Sequence, residues 1–214
     1  MSAIRLGTRA STLATTQSEM VARLLRSEGL DVNLTTITTH GDTSTASLAA
    51  MGGIGVFASA IRAALLEGEA DIAVHSFKDL PTGRPLGLAI GAVPARADPR
   101  DALVARDGLT LHDLPQEASV GTGSPRRAAQ LLAVRPDLTI VDIRGNVDTR
   151  LGRVKGLGRY AKNGGKEDLD AVVLAASGLA RLGHSGAVTE FLDPSVVLPA
   201  PAQGALAVEC RTAD

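Results

Sequence analysis

Short apolar segments alternate with amphipathic segments along the whole of this 214-residue chain. The apolar segments are rich in β-branched residues, whereas the amphipathic ones repeat apolar residues every three or four positions. This alternation predicts an α/β fold with mixed, mostly parallel sheets. The expected strands lie near residues 4–6, 32–38, 71–74, 86–93, 102–105, 119–121, 138–143, 171–175 and 205–209. The expected helices lie near residues 11–25, 56–66, 124–134 and 146–154.

Two proline-bearing stretches, residues 94–99 and 194–201, interrupt this alternation. We interpret them as paired crossings between two lobes, one of residues 1–95 plus 199–214 and the other of residues 100–193. Ligands of open α/β sheets bind beyond the carboxyl ends of the strands. The site is therefore expected in the cleft between the lobes.

Composition narrows the classes of function. The single cysteine excludes a disulfide framework, and the four histidines are scattered without metal-ligand spacing, so we expect no metal site. The chain has no Trp, one Tyr and three Phe, which disfavours stacking on nucleic acid bases. Its apolar runs are too short to span a bilayer, and charges interrupt residues 1–25, where a signal peptide needs an apolar stretch. We expect a cytoplasmic protein without nucleic acid or membrane partners.

Positive charge is concentrated in one part of the chain. Residues 121–166 carry ten basic and three acidic side chains, although the net charge of the whole chain is -1. Such a local excess would focus an anionic ligand, and a solvated basic face is the alternative. Most of the basic residues are arginine, whose rigid fork of donors matches carboxylate or phosphate. Genomic base composition explains an arginine bias equally well.

Polar residues follow directly after the apolar strand at residues 71–74. The chain leaves this strand through Ser76, Lys78 and Asp79. A lysine beside an aspartate at the carboxyl end of a strand would fix an anionic group and supply a catalytic carboxylate. Taken alone, a loop salt bridge is the simpler interpretation.

A glycine turn joins the strand at residues 119–121 to the start of a helix. Free backbone N–H groups, the hydroxyls of Thr122 and Ser124 and the positive helix end would form an anion cradle. Arg126 and Arg127 on the first turn would strengthen it. A plain N-cap by Ser124 is the alternative, and a Walker A loop is excluded because its motif is missing.

A second turn of this kind follows the strand at residues 138–143. Arg144 ends the strand, Gly145 allows close approach of a ligand, and Asn146 begins a helix that carries Arg150. On spacing alone, a binding role and a structural role stay equally open.

A third turn, at residues 7–11, carries Arg9 and Ser11. Three arginine-bearing turns in one two-lobed chain favour a polyanion cleft more strongly than any one of them does.

Seven segments agree in order with the pattern of one known family. They are I-R-L-G-T-R-A-S-x-L-A at residues 4–14, D-I-A-V-H-S-F-K-D-L-P-T at 71–82, D-P-R-D-A-L at 98–103, V-G-T-G-S-P-R-R-A-A-Q-L at 120–131, I-R-G-N-V-D-T-R-L at 143–151, A-x-G-L-x-R-L-G at 176–183 and P-A-P-A-Q-G-A-L-A-V-E-C-R at 199–211. Together they resemble the hydroxymethylbilane synthase family, also called porphobilinogen deaminase. No single segment is decisive, but coincidence across all seven is implausible.

The resemblance implies a transferase of porphyrin and heme biosynthesis that joins four porphobilinogen molecules head to tail and releases ammonia at each step. It also implies a dipyrromethane cofactor, held by a thioether to a cysteine in a small third domain. The first two domains would resemble type II periplasmic binding proteins. The family's catalytic aspartate falls on Asp79. Cofactor and substrate binding is assigned to Arg9, Ser11, Ser76, Lys78, Thr122, Ser124, Arg126, Arg127, Arg144, Gly145, Asn146, Arg150, Arg181 and Gln203.

The chemistry of this substrate agrees with an arginine-rich site. Each pyrrole brings an acetate and a propionate, which arginine forks can neutralise by bidentate pairing. Loss of ammonia leaves a cationic azafulvene. A carboxylate at Asp79 would stabilise that charge and handle the pyrrole proton.

The sequence departs from the family pattern in four places. Ile54 stands where the family has a basic residue, Ala202 replaces a glycine, and the connection at residues 152–170 is long. The chain ends at Asp214, so we expect the third domain and the cofactor cysteine to be missing. Cys210 is not interpreted as that cysteine, because we expect an inert thiol buried on a strand. Alone, the chain is expected to be a monomer that binds anionic pyrroles weakly without turnover.

Two other functions stay open at this point. A non-enzymatic anion-binding module of the periplasmic-binding-protein type would share the fold and the charge, but Asp79 beside Lys78 and the charged first 25 residues count against it. A nucleic-acid-binding protein is the weaker alternative, because the net charge is -1 and stacking aromatic residues are scarce.

Overall fold

The structure is a computed structural model that describes residues 3–37, 58–83 and 85–214. The chain divides into two compact units. The first comprises Met1–Ala97 and Ala205–Asp214, and the second comprises Asp98–Gly204. Each unit has a five-stranded sheet and buries its own core.

The strands and helices take the following bounds in chain order. The strands are β1 (Ile4–Thr8), β2 (Val32–Thr36), β3 (Ile72–Ser76), β4 (Leu88–Ala92), β5 (Asp101–Ala105), β6 (Ser119–Gly121), β7 (Thr139–Val141), β8 (Ala171–Ala175), β9 (Glu190–Phe191) and β10 (Leu206–Arg211). The helices are α1 (Thr12–Ser27), α2 (Ser59–Leu66), α3 (Pro125–Val134), α4 (Val147–Leu151) and α5 (Ala176–Arg181).

The sheet of the first unit has the strand order β2-β1-β3-β10-β4. Strand β1 is parallel to both β2 and β3, whereas β10 is antiparallel to its neighbours β3 and β4. Leu6, Val21 and Val74 belong to one buried cluster of this unit, and Ile61 and Leu65 belong to another. Burial of each such side chain contributes about 1.5–3 kcal/mol. Because β1 and β3 are parallel, their carboxyl ends meet at one edge of the sheet.

The sheet of the second unit has the order β7-β6-β8-β5-β9. Strand β6 is parallel to β7 and β8, while β5 is antiparallel to β8 and β9. All five residues of β5 are buried, as are four of the five in β8. Strands covered on both faces have nearly continuous apolar sequences, which is why these segments lack the alternation of a half-exposed strand. The carboxyl ends of β6, β7 and β8 lie at one edge of this sheet.

The predicted α/β fold with mixed sheets is confirmed, and each sheet combines parallel with antiparallel neighbours. Helix α4 is shorter than its predicted range of 146–154, because the chain turns at Gly152 and Val154 instead forms a bridge with Leu169. Helix α5 and strand β9 were not predicted. Ser177 and Gly178 lower the helix propensity of α5, and β9 has only two residues.

Two predictions lie outside the described residues, namely the start of the helix at 56–66 and the substitution at Ile54. The sequence also predicts a loop at 39–53, which lies outside them as well. No helix in the described part of the chain is long and apolar enough to cross a membrane.

Candidate functional site

The first unit places polar side chains where β1 and β3 end. Ser11 caps α1, since its Oγ accepts a hydrogen bond from the backbone N–H of Ala14 at 3.3 Å. Ser76 Oγ lies 3.1 Å from Nε2 of Gln17, a residue that is almost fully buried in α1. Arg9, Gln17, Ser76 and Asp79 line a cavity of about 40 Å³. The parallel β1–β3 pairing therefore brings Arg9 of the first turn next to the residues that follow β3.

Asp79 ends a single 3-10 turn, Phe77–Asp79, that directly follows β3. Asp79 is an exposed residue by surface area, but the protein atoms around its carboxyl group still displace enough water for desolvation to raise the pKa of that group. The basic side chains of Lys78, Arg9 and His75 act in the opposite direction and favour the carboxylate. The result is a carboxyl group with raised pKa among basic residues, which is a pattern typical of functional sites.

A buried ionic cluster supports β3 from the neighbouring strand. Glu209 of β10 is 1% exposed and pairs with Arg62 Nη2 at 2.9 Å, and its Oε2 lies 3.2 Å from Nε2 of His75. Burial works to raise the pKa of Glu209, but the contact with His75 and the hydrogen bonds from Arg62 outweigh it and leave that pKa below its ordinary value. Sequence reasoning missed this cluster, because Arg62 and Glu209 are 147 residues apart.

In the second unit, the glycine turn after β6 packs tightly against the following strand. A Cβ added at Gly121 would lie 2.7 Å from Leu169 Cδ1, and one added at Gly123 would lie 2.7 Å from the carbonyl oxygen of Ile143. Thr122 Oγ1 accepts a hydrogen bond from the backbone N–H of Ser124 at 3.2 Å. Position 123 requires glycine because a Cβ there would collide with backbone, whereas a Cβ at position 121 would meet only side-chain methyl groups.

Helix α3 begins with the predicted arginine pair, but both guanidinium groups already have a carboxylate partner. Ser124 is the N-cap, which the sequence analysis gave as the alternative to an anion cradle. Arg126 Nη2 donates to Asp101 Oδ2, and Arg127 Nη2 donates to Asp101 Oδ1, each at 2.7 Å. Arg127 also donates to the carbonyl oxygen of Val173 at 3.2 Å. Asp101 therefore occupies one nitrogen of each guanidinium group, a pairing that the sequence did not indicate.

The turn after β7 adds a second set of donors. Gly145 has φ 101°, a conformation that disfavours other residues. Asn146 caps α4 by accepting from the backbone N–H of Thr149 at 2.8 Å, and Arg150 Nε donates to the carbonyl oxygen of Gly145 at 2.8 Å. This local network fixes the position of Arg150 at the end of β7.

Arg127, Arg144 and Arg150 form what we call the arginine cluster. Burial lowers the pKa of the Arg150 guanidinium, and repulsion from Arg127 and Arg144 lowers it further, while Asp142 partly compensates. Excess positive charge at the end of β6 and β7 is the electrostatic condition for binding an anion.

Two further predicted residues lie in the second unit. Arg181 at the end of α5 donates from Nη2 to the carbonyl oxygen of Gly204 at 2.7 Å, and burial lowers its pKa. Gln203 is completely buried and donates from Nε2 to Pro99 O and to Asp101 Oδ1, both at 2.7 Å. Gln203 therefore belongs to the same network as the arginine pair on α3.

The structure brings the sequence-predicted residues together in two groups. Those of the first unit surround the end of β3: Arg9, Ser11, Ser76, Lys78 and Asp79. Those of the second unit follow β6, β7 and β8, except for Gln203, which precedes β10: Thr122, Ser124, Arg126, Arg127, Arg144, Gly145, Asn146, Arg150, Arg181 and Gln203. Cys210 is only partly buried on β10, so the expectation of a fully buried thiol is corrected. The described residues contain no group of three or more His, Cys, Asp or Glu that could hold a metal ion.

Sequence reasoning did not assign Asp101, which the structure makes the common partner of Arg126, Arg127 and Gln203. The signal was present in D-P-R-D at residues 98–101, where a charged residue opens an otherwise apolar strand. A charge at that position is costly to bury unless it is paired.

Two solved structures of binding proteins share the fold of this chain. The chain aligns with an ABC transporter periplasmic substrate-binding protein from Coxiella burnetii at a TM-score of 0.54 and 18% identity, covering 99% of this chain and 86% of that one. It aligns with a nutrient binding protein from Burkholderia cenocepacia bound to methionine at a TM-score of 0.56 and 15% identity, with the same coverage. The fold is thus that of the type II periplasmic binding proteins.

Sequence comparison defines the family within that fold. The family model described as "Porphobilinogen deaminase, dipyromethane cofactor binding domain" matches residues 4–214. The chain belongs to the porphobilinogen deaminase family. Porphobilinogen deaminases of Micrococcus luteus and Leifsonia xyli are each 59% identical to it, over 100% and 99% of this chain. The chain spans 59% and 62% of the lengths of these two relatives.

Proposed function

We propose that this chain provides the catalytic carboxylate and the anion-binding residues of a hydroxymethylbilane synthase. Its substrate would be porphobilinogen, and its product a linear tetrapyrrole formed with release of ammonia. The observation that carries the proposal is Asp79, a crowded carboxyl group of raised pKa beside Lys78 and Arg9. The family match over residues 4–214 supports the same reaction.

The arginine cluster explains how the substrate would be held. Each porphobilinogen carries two carboxylates, and Arg127, Arg144 and Arg150 carry positive charges that repel one another. A bound carboxylate relieves this repulsion and accepts charge-assisted hydrogen bonds. The site is therefore suited to a polycarboxylate more than to a neutral ligand.

Asp79 would act on the charge that develops in the reaction. When the carbon–nitrogen bond of porphobilinogen breaks, the electron pair leaves with ammonia and a cationic pyrrole remains. The Asp79 carboxylate stabilises that cation electrostatically. After a new carbon–carbon bond forms, the same carboxylate accepts the proton that the attacked pyrrole releases.

The residues of the second unit also fit the dipyrromethane cofactor that the family model names. This group carries several carboxylates, and the arginine cluster with the Thr122 and Ser124 hydroxyls offers donors of the right kind. When bound, dipyrromethane supplies the covalent primer for chain growth. We infer that Cys210 does not hold this cofactor. The residue lies within strand β10, where it is paired with Ile72 of β3 on one side and with Ala89 of β4 on the other.

A chimera tests the proposed activity. In it, this chain replaces the matching part of the Micrococcus luteus relative, which is 59% identical. The chimera is expected to consume porphobilinogen and release ammonia, whereas the 214-residue chain alone is expected to do neither. Loss of activity in a chimera that folds would contradict the proposal.

Mass spectrometry tests the assignment of Cys210. After incubation with porphobilinogen, the 214-residue chain should show no added mass. A gain of one dipyrromethane on Cys210 would overturn that assignment.

The same proposal includes a cytoplasmic monomer that works without nucleic acid or membrane partners. A small charged substrate needs neither for recognition, and the net charge of -1 gives no general attraction to nucleic acid. Analytical ultracentrifugation of the chain should give a single species of 21.9 kDa.

A further inference from the structure

We propose that Asp101 is a positioning residue of the anion site in the second unit, where its carboxylate holds Arg126, Arg127 and Gln203 in their binding orientation. The inference rests on the proposed function, because these side chains are among those assigned to the carboxylates of the substrate. It adds to that function a residue that touches no substrate and acts through its three partners.

The geometry of Asp101 is that of a shared anchor. Its side chain is completely buried at the start of β5. Oδ2 accepts from Arg126, and Oδ1 accepts from both Arg127 and Gln203, with all three contacts at 2.7 Å. Each arginine also donates a hydrogen bond to a backbone carbonyl oxygen. Arg127 donates to that of Val173, and Arg126 donates to that of Leu198.

The need for such an anchor follows from helix geometry. Arg126 and Arg127 are consecutive residues on the first turn of α3, and consecutive side chains of a helix point about 100° apart. Two like charges so placed would also repel each other. Without a common acceptor, the two guanidinium groups would diverge, and only one of them would face a given anion. Asp101 brings both to one carboxylate and leaves the rest of each fork in a fixed direction.

Arg127 keeps a donor that this network does not use. Its Nε is buried and has no hydrogen-bond partner among the described residues. An unpaired buried donor costs free energy, so its presence here is consistent with a site that gains a partner on binding. Gln203 is held in the same way, because its Nε2 donates to Asp101 and to the backbone at Pro99.

A positioning role and a purely charge-balancing role of Asp101 predict opposite changes in anion affinity when its carboxylate charge is removed. Asp101→Asn raises the charge of the site by one. If Asp101 only balances charge, this variant binds anions more tightly, because the field at the site becomes more positive. If Asp101 positions the arginines, the variant binds anions more weakly despite the added charge.

The experiment is calorimetric titration of the 214-residue chain with porphobilinogen and, separately, with inorganic phosphate. The variants are Asp101→Asn and the matched control Asp98→Asn. Asp98 lies in the same unit and pairs with Arg100 on the surface, so its substitution removes the same charge outside the network. We expect Asp101→Asn to weaken binding about tenfold or more, as for loss of a charge-assisted hydrogen bond. Asp98→Asn should stay within about twofold of the wild type.

Each outcome decides the inference. Equal or tighter binding by folded Asp101→Asn overturns the positioning role and leaves the proposed function intact. If the wild type binds phosphate but not porphobilinogen, the proposed function fails, and the phosphate titrations still decide the role of Asp101. If the wild type binds neither anion, both fail.

A second measurement applies even if Asp101→Asn does not fold. In the wild type, nitrogen-15 NMR of the arginine Nε groups should resolve Arg126 and Arg127 as protected signals that shift when the anion is added. Averaged, unprotected signals, or signals that do not respond to the anion, would overturn the proposal.

Discussion

Arg127 and Arg150 repel each other across two helices of the second unit, since α3 supplies one guanidinium and α4 the other. Burial is the larger cause of the lowered pKa of Arg150, and the charge of Arg127 adds to it. At neutral pH a cation with a lowered pKa in the folded state opposes folding. Repelling charges that oppose folding are expected where they serve binding. The effect of Arg150 on stability and its effect on binding can therefore be measured separately.

Replacing Arg150 should separate stability from binding. Arg150→Gln removes the repelling charge together with the bond to Gly145, so we expect its free energy of unfolding to stay within about 0.5 kcal/mol of the wild type. Its affinity for porphobilinogen should fall about tenfold or more. The affinity of Arg150→Lys, which keeps the charge but not the guanidinium fork, should lie between those of the wild type and Arg150→Gln. Urea unfolding and calorimetric titration measure the two quantities. A destabilised Arg150→Gln with unchanged affinity would assign Arg150 a structural role.

Asp79→Asn tests the catalytic carboxylate in the chimera with the Micrococcus luteus relative. The substitution keeps the shape of the side chain but removes the charge that would stabilise the cation. We expect the rate of ammonia release to fall about a hundredfold or more. Asp107→Asn, which changes an exposed carboxylate of the second unit, is the control and should leave the rate unchanged. Near-normal turnover by Asp79→Asn would exclude the proposed role.

The raised pKa of Asp79 gives a prediction of its own for pH dependence. An aspartate ordinarily titrates near pH 3.9, and desolvation moves this group upward. The ionised form is the active one, so activity should be full above the raised pKa and fall as the pH decreases through it. The acid limb of kcat/KM should therefore lie above pH 4. The same shift means that ionised Asp79 opposes folding, so Asp79→Asn should be at least as stable as the wild type at pH 7. An acid limb below pH 4 would contradict this account.

The strand-to-helix turns could be predicted because their signals are local. Glycine, a capping Ser or Asn and an adjacent arginine lie within a few residues of one another, and the structure contains these turns where the pattern indicated them. Ser124 and Asn146 are both N-caps, as their spacing suggests. The apolar strands β5 and β8 were also predictable, since a strand buried on both faces has a continuous apolar run.

The pairing partners of the site could not be predicted in this way. Asp101 meets Arg127 across 26 residues, and Glu209 meets Arg62 across 147 residues. Sheet order decides the Glu209 contact, because β10 lies between β3 and β4 although it is last in sequence. No periodicity within a window of about 15 residues contains that information. The pairing of Arg126 and Arg127 with Asp101 could not be predicted for this reason.

Acid should destabilise the first unit through Asp71. Arg5 donates to Asp71 Oδ1 from Nη2 at 2.6 Å and to Oδ2 from its backbone N–H at 2.8 Å, and these bonds lower the pKa of Asp71 to about 2. A lowered carboxyl pKa stabilises the fold fully above the unfolded value near 4, and this contribution is lost as the pH falls to about 2. Asp71→Asn should cost about 1 kcal/mol at pH 7, allowing for solvent screening. The cost should vanish near pH 2.

Urea unfolding at pH 7, 4 and 2.5 measures this window. Glu67→Gln, an exposed carboxylate at the end of α2, is the control and should change stability by less than about 0.5 kcal/mol at each pH. A constant effect of Asp71→Asn across the three pH values would show that the Arg5 contact does not depend on ionisation.

Removing only one partner of the ion pair between Arg62 and Glu209 should destabilise the protein far more than removing both partners. Arg62→Met leaves the carboxylate of Glu209 buried with His75 alone, and loss of one partner of a buried pair typically costs about 3–5 kcal/mol. The double variant Arg62→Met, Glu209→Met removes both charges and fills the space with apolar atoms. It should recover most of the loss, because a buried pair gains little over a well-packed apolar replacement. Urea unfolding of the two variants at pH 7 gives the comparison. If the double variant is no more stable than Arg62→Met, then the contacts among Arg62, His75 and Glu209 make a net contribution to the stability of the first unit. Neutralising the buried charge of Glu209 would then not be their only effect.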